Sequence, residues 1–203
     1  TFNIVYEKLG TDICVKRWDG NRDIFVNIIA NVYEPPVGCY DSLTQYASGK
    51  FRLRLKHGGE IFFDDSTHGK ATRIRDRNGN TITISYTGGY PRLITDANNR
   101  HLGLKWLGGR MVQLIDSISS PQRTISYQYD SLGNLVSVTD PLGNQVHYGY
   151  DYAKRLILMT DPMSMHFSIT YDDSGAVTRI QSPLSDENFS YNSLSLVTSY
   201  TKD

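Results

Sequence analysis

Five histidines, adjacent carboxylates such as Asp64-Asp65 and Asp172-Asp173, and two cysteines are the residues of this 203-residue chain whose types could do chemistry. Metal ligation needs ligands at close, regular spacing. His57, His68, His101, His147 and His166 supply neither a His-x-x-x-His pair nor a Cys-x-x-Cys partner set. Asp64-Asp65 and Asp172-Asp173 invite an acid/base reading, but neighbours on a strand point to opposite faces and seldom share one site. Turn or surface positions are expected of them. The segment "DRNGN", Asp76 to Asn80, opens like a calcium loop, yet Thr81 and Thr87 stand where that loop requires Gly and Glu. The chain has no Gly-x-Ser-x-Gly motif and no phosphate-cradling glycine loop. Cys14 and Cys39 could pair, although two cysteines in a chain of this length are not the density of a disulfide scaffold, and separate buried thiols are favoured. Asn188-Phe189-Ser190 has the form of a glycosylation acceptor, which matters only on a eukaryotic secretory route. No catalytic residue, cofactor or metal is expected.

Composition narrows the partners. Lys plus Arg equal Asp plus Glu at 21 each, and the balance is also local, with 9 of each over residues 1–70. No basic face is suggested, which argues against nucleic acid and anionic membrane. No apolar run approaches the ~20 residues of a membrane span. Only 6 Ala and 4 Glu stand beside 14 Tyr and 17 Gly, which is the usage of strands and tight turns rather than helices.

The elements repeat. A series of Asp runs Asp76, Asp96, Asp116, Asp140, Asp161, then Ser182 in its place, then Asp203, at steps of 20, 20, 24, 21, 21 and 21. A parallel aromatic series runs Phe63, Tyr86, Trp106, Tyr129, Tyr150, Tyr171 and Tyr191. Self-similarity at such a period marks a stacked or spiralling array. Before each aromatic the segment alternates: Ile82, Ile84 and Tyr86 face one way, as do Ile125, Tyr127 and Tyr129, then Val146, Tyr148 and Tyr150, then Phe167, Ile169 and Tyr171. A Gly-bearing turn and a second apolar segment follow, so the unit is a β-hairpin. In that second segment the apolar residues are three apart: Leu135 and Val138, Leu156 and Met159, Val177 and Ile180. Either a bulge lies between them or both faces are partly covered. Residues 57–203 hold about seven hairpins, and at ~4.8 Å per strand roughly fourteen strands exceed the ~10 at which open sheets curl, split or flatten. A curled ribbon with one apolar face is expected. Residues 1–56 lack the phrase but read as a β-rich lead-in, with "DIFVNIIANVY" as strand, Glu34 to Lys50 as a loop, and a hairpin from Phe51 to Phe63.

These phrases resemble the Rhs or YD-repeat family, named for the Tyr-Asp pair that stands here as Tyr129-Asp130, Tyr150-Asp151 and Tyr171-Asp172. "YDSLGNLVSVTDPLGN", from Tyr129 to Asn144, meets the family phrase best, and the resemblance covers residues 57–203. Departures are Asp161-Pro162 followed by Met163-Ser164 without Gly, Ser182 for Asp, and Asn192 after Tyr191. The resemblance implies a long β-ribbon wound into a hollow shell, as in bacterial Rhs toxins, insecticidal toxin complexes and teneurins. In bacterial members the shell encloses a toxic C-terminal domain before delivery.

The expectation is therefore an all-β segment of such a shell, without catalytic activity, with the remainder of the shell and an enclosed toxin domain as partners and secretion-apparatus or cell-surface proteins as further ones. Secretion, or delivery by a secretion system, is the implied location. A carbohydrate- or cell-surface-binding module is the alternative, and it would leave several repeat aromatics in solvent. Asp140-Pro141-Leu142-Gly143 has the short form of a phrase that bacterial relatives use in self-cleavage, but it sits between ordinary repeats and reads as a turn. Tyr86, Trp106, Tyr129, Tyr150 and Tyr171 are expected to build the repeat with Asp130, Asp151, Asp172, Asp140, Pro141, Gly143, Asp161 and Pro162, and Tyr129, Tyr150 and Tyr171 to stack as a ladder of rings.

Overall fold

The computed structural model describes residues 4–192 and 197–203. These residues form twenty β-strands and no helix. In chain order they are β1 (Val5–Leu9), β2 (Asp12–Lys16), β3 (Arg22–Ile29), β4 (Val32–Glu34), β5 (Ser42–Ala47), β6 (Lys50–Arg54), β7 (Glu60–Phe63), β8 (Arg73–Arg75), β9 (Thr81–Thr87) and β10 (Tyr90–Thr95). There follow β11 (His101–Leu107), β12 (Arg110–Asp116), β13 (Arg123–Tyr129), β14 (Leu135–Thr139), β15 (Gln145–Tyr150), β16 (Leu156–Thr160), β17 (His166–Tyr171), β18 (Val177–Ser182), β19 (Ser185–Tyr191) and β20 (Val197–Lys202). Every pairing described is antiparallel and joins strands that are consecutive in the chain. The chain divides into two compact units, Thr1–Leu104 with Asp116–Ser119, and Lys105–Ile115 with Ser120–Asp203.

The first unit has a packed core. Its strand β3 pairs with β2 through Arg22 to Phe25 and with β4 through Val26 to Ile29, so one strand turns a corner between two layers. Phe25 is fully buried at that corner. Tyr6, Ile13 and Val15 come from one layer, and Tyr33, Leu43, Phe51, Leu53, Ile61 and Phe63 from the other. The Tyr6 ring meets Phe51 and Phe63 edge-on at 4.7 and 5.7 Å between centroids, a geometry that adds to the burial of the rings themselves. Its hydroxyl donates to the Gly49 carbonyl at 2.7 Å, so the polar end is satisfied. The expected loop from Glu34 to Lys50 is corrected: only its first part is loop, and Ser42–Ala47 is strand β5, because Leu43 supplies a buried core contact.

The second unit is thin. Among its described residues the only buried side chain is Ser137, and the apolar residues of its strands are half-buried or exposed. Tyr127, Val138, Tyr148, Met159, Phe167 and Ile169 lie on one side by register, whereas Gln128, Ser137, His147, Thr160 and His166 make a row on the other. Stability here rests on cross-strand pairs and turns rather than on a closed core.

Candidate functional site

The repeated Asp residues build one recurring five-residue turn. In the turn from Asp130 to Asn134, the Asp130 N–H donates to the Asn134 carbonyl at 3.0 Å and the Gly133 N–H returns to the Asp130 carbonyl at 3.0 Å. The Asp130 carboxylate accepts the N–H groups of Leu132 and Asn134 at 2.9 and 2.8 Å and the Asn134 side-chain amide at 2.9 Å. The same frame recurs at Asp76, Asp96, Asp140, Asp151, Asp161 and Asp172. Asp140, Pro141 and Gly143 therefore stand in a turn, as do Asp161 and Pro162. Asp76, Asp96, Asp140 and Asp161, each preceding a hairpin, and the Asp of the Tyr-Asp pair thus do the same work at opposite ends of the strands.

The fourth residue of this turn takes positive φ in every copy: Gly79, Gly133, Gly143 and Gly175 at 85–91°, and Asn99, Lys154 and Ser164 at 60–64°. Met163-Ser164, a departure from the family phrase, keeps the turn by placing Ser164 in the left-handed region. Two hairpins use a tighter turn, with Gly88-Gly89 and Gly108-Gly109 both at positive φ, the pairing that type I′ hairpins require.

The carboxylates of Asp76, Asp96, Asp130, Asp140, Asp151 and Asp172 are held below the usual range. Asp76 and Asp140 owe this first to the side-chain amides of Asn80 and Asn144, and Asp172 to the Ser174 hydroxyl. Asp96, Asp130 and Asp151 owe it first to the backbone N–H of Arg100, Asn134 and Arg155. A carboxylate already engaged by several donors is a poor base, so these residues serve geometry.

The three-residue apolar spacing resolves into a bulge. Tyr150 pairs with Leu156 and Gly149 with Leu158, leaving Ile157 out of register. The same skip occurs at Tyr129, Tyr171 and Tyr191, and near Pro91 on β10. A bulge adds one residue, so residues three apart return to the same face. It also disturbs the ladder of backbone bonds, and the next tyrosine repairs it. The Tyr171 hydroxyl donates to Leu156 O at 2.9 Å and the Tyr191 hydroxyl to Val177 O at 2.7 Å. Both acceptors are the residues paired with the preceding tyrosine. Tyr129 and Tyr86 make corresponding bonds to Met111 O at 2.9 Å and Ala71 O at 2.7 Å. Burial, then the charge of Asp65, pushes the Tyr86 hydroxyl up to about 12.

The expected stack of rings is corrected. The ring contacts described do not join Tyr129, Tyr150 and Tyr171. Successive tyrosines are separated by an intervening strand, about 9.6 Å, beyond the ~7 Å limit of ring contact. Guanidinium groups cover two of them instead, with Arg110 5.9 Å from the Tyr129 centroid and Arg155 4.6 Å from that of Tyr171. Arg155 also bonds its own Asp151 at 2.7 Å and reaches the Asp172 carbonyl at 3.3 Å. Sequence reasoning missed these arginines, whose signal is a basic residue directly after the turn glycine or at the turn's fifth position. Trp106 is half-buried on β11.

The remaining chemistry-bearing residues are dispersed. His101 and His166 bond Thr95 and Thr160 across their turns, each at 3.0 Å. Asp64 and Asp65 diverge: Asp64 accepts from Thr72 at 2.7 Å and Arg73 at 3.0 Å, whereas Asp65 holds His68 at 2.9 Å. Both line an open cavity of about 370 Å³ with His68, Ser85 and Tyr86. Cys14 is buried, Cys39 is half-buried, and both are free thiols. Among the described residues, no three of His, Cys, Asp and Glu gather as metal ligands.

Residues 122–162 match the RHS repeat family. No curated protein matches this chain. The fold is similar to a solved structure of the Photorhabdus luminescens Tc holotoxin pore carrying a mutation in TccC3, with a TM-score of 0.59, 15% identity and 93% of this chain covered. Crystal structures of TcdB2-TccC3 without its hypervariable C-terminal region and of TcdB2-TccC3-Cdc42 each align with a TM-score of 0.51 at 13% identity, covering 92% and 98% of this chain. The chain spans only 12–14% of the length of those chains.

Proposed function

We propose that this chain, a carrier of the Rhs/YD repeat, is a structural wall segment of a shell that encapsulates a toxin or effector domain before delivery. The observation that carries the reading is the second unit, where a repeated hairpin is joined mainly by one recurring Asp turn around almost no buried core. The chain exposes 13085 Å². A compact monomer of 23.0 kDa would expose roughly 9,600 Å². Such a surplus suits a wall whose two faces meet different surroundings. The turn carboxylates and tyrosine hydroxyls are engaged in the backbone, which favours a structural role for the repeat over catalysis and over a sugar-stacking surface. Residues 1–56 act as the lead-in to the array. The partners are the remainder of the shell and an enclosed C-terminal domain, with secretion-apparatus or cell-surface proteins outside, and the whole is secreted or delivered by a secretion system.

The test is protease treatment of the natural-length protein. A C-terminal segment should resist digestion, and should become digestible when Asp130, Asp151 and Asp172 are all replaced by Ala to loosen the wall. Equal digestion in both proteins, or a soluble monomer in which the final strand closes against its own first strand, would overturn the proposal.

A further inference from the structure

Local charge balance in the sequence conceals an arginine face in the first unit. On β6, β7 and β8 the inward residues Phe51, Leu53, Ile61 and Phe63 belong to the core. Alternation therefore turns Arg52, Arg54, Glu60, Phe62, Arg73 and Arg75 outward. Register sets them in two rows, Arg52 beside Phe62 beside Arg73, and Arg54 beside Glu60 beside Arg75. Phe62 is the central plate, with the Arg73 and Arg75 guanidiniums 4.2 and 5.4 Å from its centroid.

Two of the four arginines are committed. Arg75 donates through both Nε, at 2.8 Å, and Nη2 to the buried Glu60, and Arg73 donates to Asp64 at 3.0 Å. Arg52 is only loosely paired, and Arg54 is not paired among the described residues. Arg52 comes no closer than 3.8 Å to Glu60, and its Nε is covered without a hydrogen-bond partner. Arg54 is exposed, and no hydrogen bond or ion pair of its side chain is found among the described residues. Four guanidiniums against two carboxylates leave this patch cationic in a chain of zero net charge.

We propose that this face docks an extended, carboxylate-bearing protein segment lying over β6. Arg52 and Arg54 are two residues apart on one strand, so they project about 6.8 Å apart, the spacing of alternate side chains on an extended partner. A guanidinium fork takes a carboxylate in a bidentate grip, and two such forks read two acidic residues separated by one. The segment docks through side chains and not by strand addition, because β6 is already paired on both edges, with β5 and β7. Glu60 and Asp64 lie within the patch and repel a uniformly charged polyanion, which disfavours nucleic acid and sulfated polysaccharide.

The experiment measures fluorescence anisotropy of a labelled ten-residue peptide alternating Glu and Thr, titrated with the intact protein at low salt. A Lys-Thr peptide and a heparin fragment serve as comparisons. Binding is expected for the Glu peptide, weakening with salt, and falling about tenfold for each of Arg52→Gln and Arg54→Gln. Arg52→Lys should fall between, since it keeps charge and loses the fork. Arg54→Gln removes an exposed, unpartnered side chain, so its unchanged melting midpoint keeps the comparison free of misfolding. No binding of the Glu peptide, binding by both Gln variants as tight as that of the unaltered protein, or tighter binding of heparin would each overturn the proposal.

Discussion

The Tyr171 hydroxyl donates at 2.9 Å to the carbonyl of Leu156, the residue that pairs with Tyr150 in the preceding hairpin. One tyrosine therefore completes the backbone bonding that its predecessor's bulge disturbs, and Tyr191 does the same for Val177. Tyr is required where Phe would pack equally well. Replacing Tyr171 by Phe should cost about 1–2 kcal/mol, the range for leaving an acceptor unpaired, with the ring's packing kept. Urea denaturation reads the difference, and an unchanged midpoint would show that water satisfies Leu156 equally well.

Lys154 and Ser164 occupy the left-handed position that glycine fills in four sister turns. The left-handed region costs a non-glycine residue roughly 1–2 kcal/mol, partly offset by the extra chain freedom glycine brings to the unfolded state. Lys154→Gly and Ser164→Gly should each stabilise by about 0.5–1 kcal/mol. Thermal melts of the two variants check the sign, and destabilisation by either would mean that the side chain does more for the turn than its backbone strain costs.

Gly69 should tolerate no side chain. Its φ is +64°, and a Cβ there would lie 2.2 Å from the Tyr6 carbonyl oxygen, a backbone atom that cannot swing aside. The Gly69 carbonyl also accepts the Tyr6 N–H at 2.7 Å, tying β1 to the segment before β8. Gly69→Ala should destabilise by at least about 2 kcal/mol, combining the conformational cost with overpacking. Gly79→Ala, where a Cβ meets open space at φ +90°, is the control and should cost less.

Acid should loosen the turns together. Every shifted turn carboxylate has its folded pKa depressed below the unfolded value of about 3.9, so its contribution is present above that pH and lost as pH falls through the folded value. Asp64 behaves alike. Burial opposes its ionisation, but hydrogen bonds from Arg73, Tyr46 and Thr72 outweigh it and bring it to about 2. Stability should be flat above about pH 5 and fall between about pH 4 and 2. A melting midpoint that rises on acidification over that window would refute this assignment.

The all-β class, the turn positions and the recurrence of Tyr and Asp were legible in the chain because they depend on short-range patterns. Alternation places Ile169 and Tyr171 on one face whatever lies beside them, and Asp with Gly or Asn three residues on closes a turn from its own backbone bonds. What depends on register was not legible. The spacing of Leu156 and Met159 allowed a bulge or two covered faces, and only the pairing of Tyr150 with Leu156 and of Gly149 with Leu158 decides for the bulge. The ring stack failed for the same reason, since counting along the chain does not reveal the strand between Tyr150 and Tyr171. Strand β5 reads as loop in the sequence because Leu43 gains its burial from partners far along the chain. The arginine face has the same origin: Arg52, Arg54, Arg73 and Arg75 are diluted by acids in the sequence, and three strands in register bring them together. Local geometry is encoded residue by residue, whereas cross-strand neighbourhood exists only once the strands have paired.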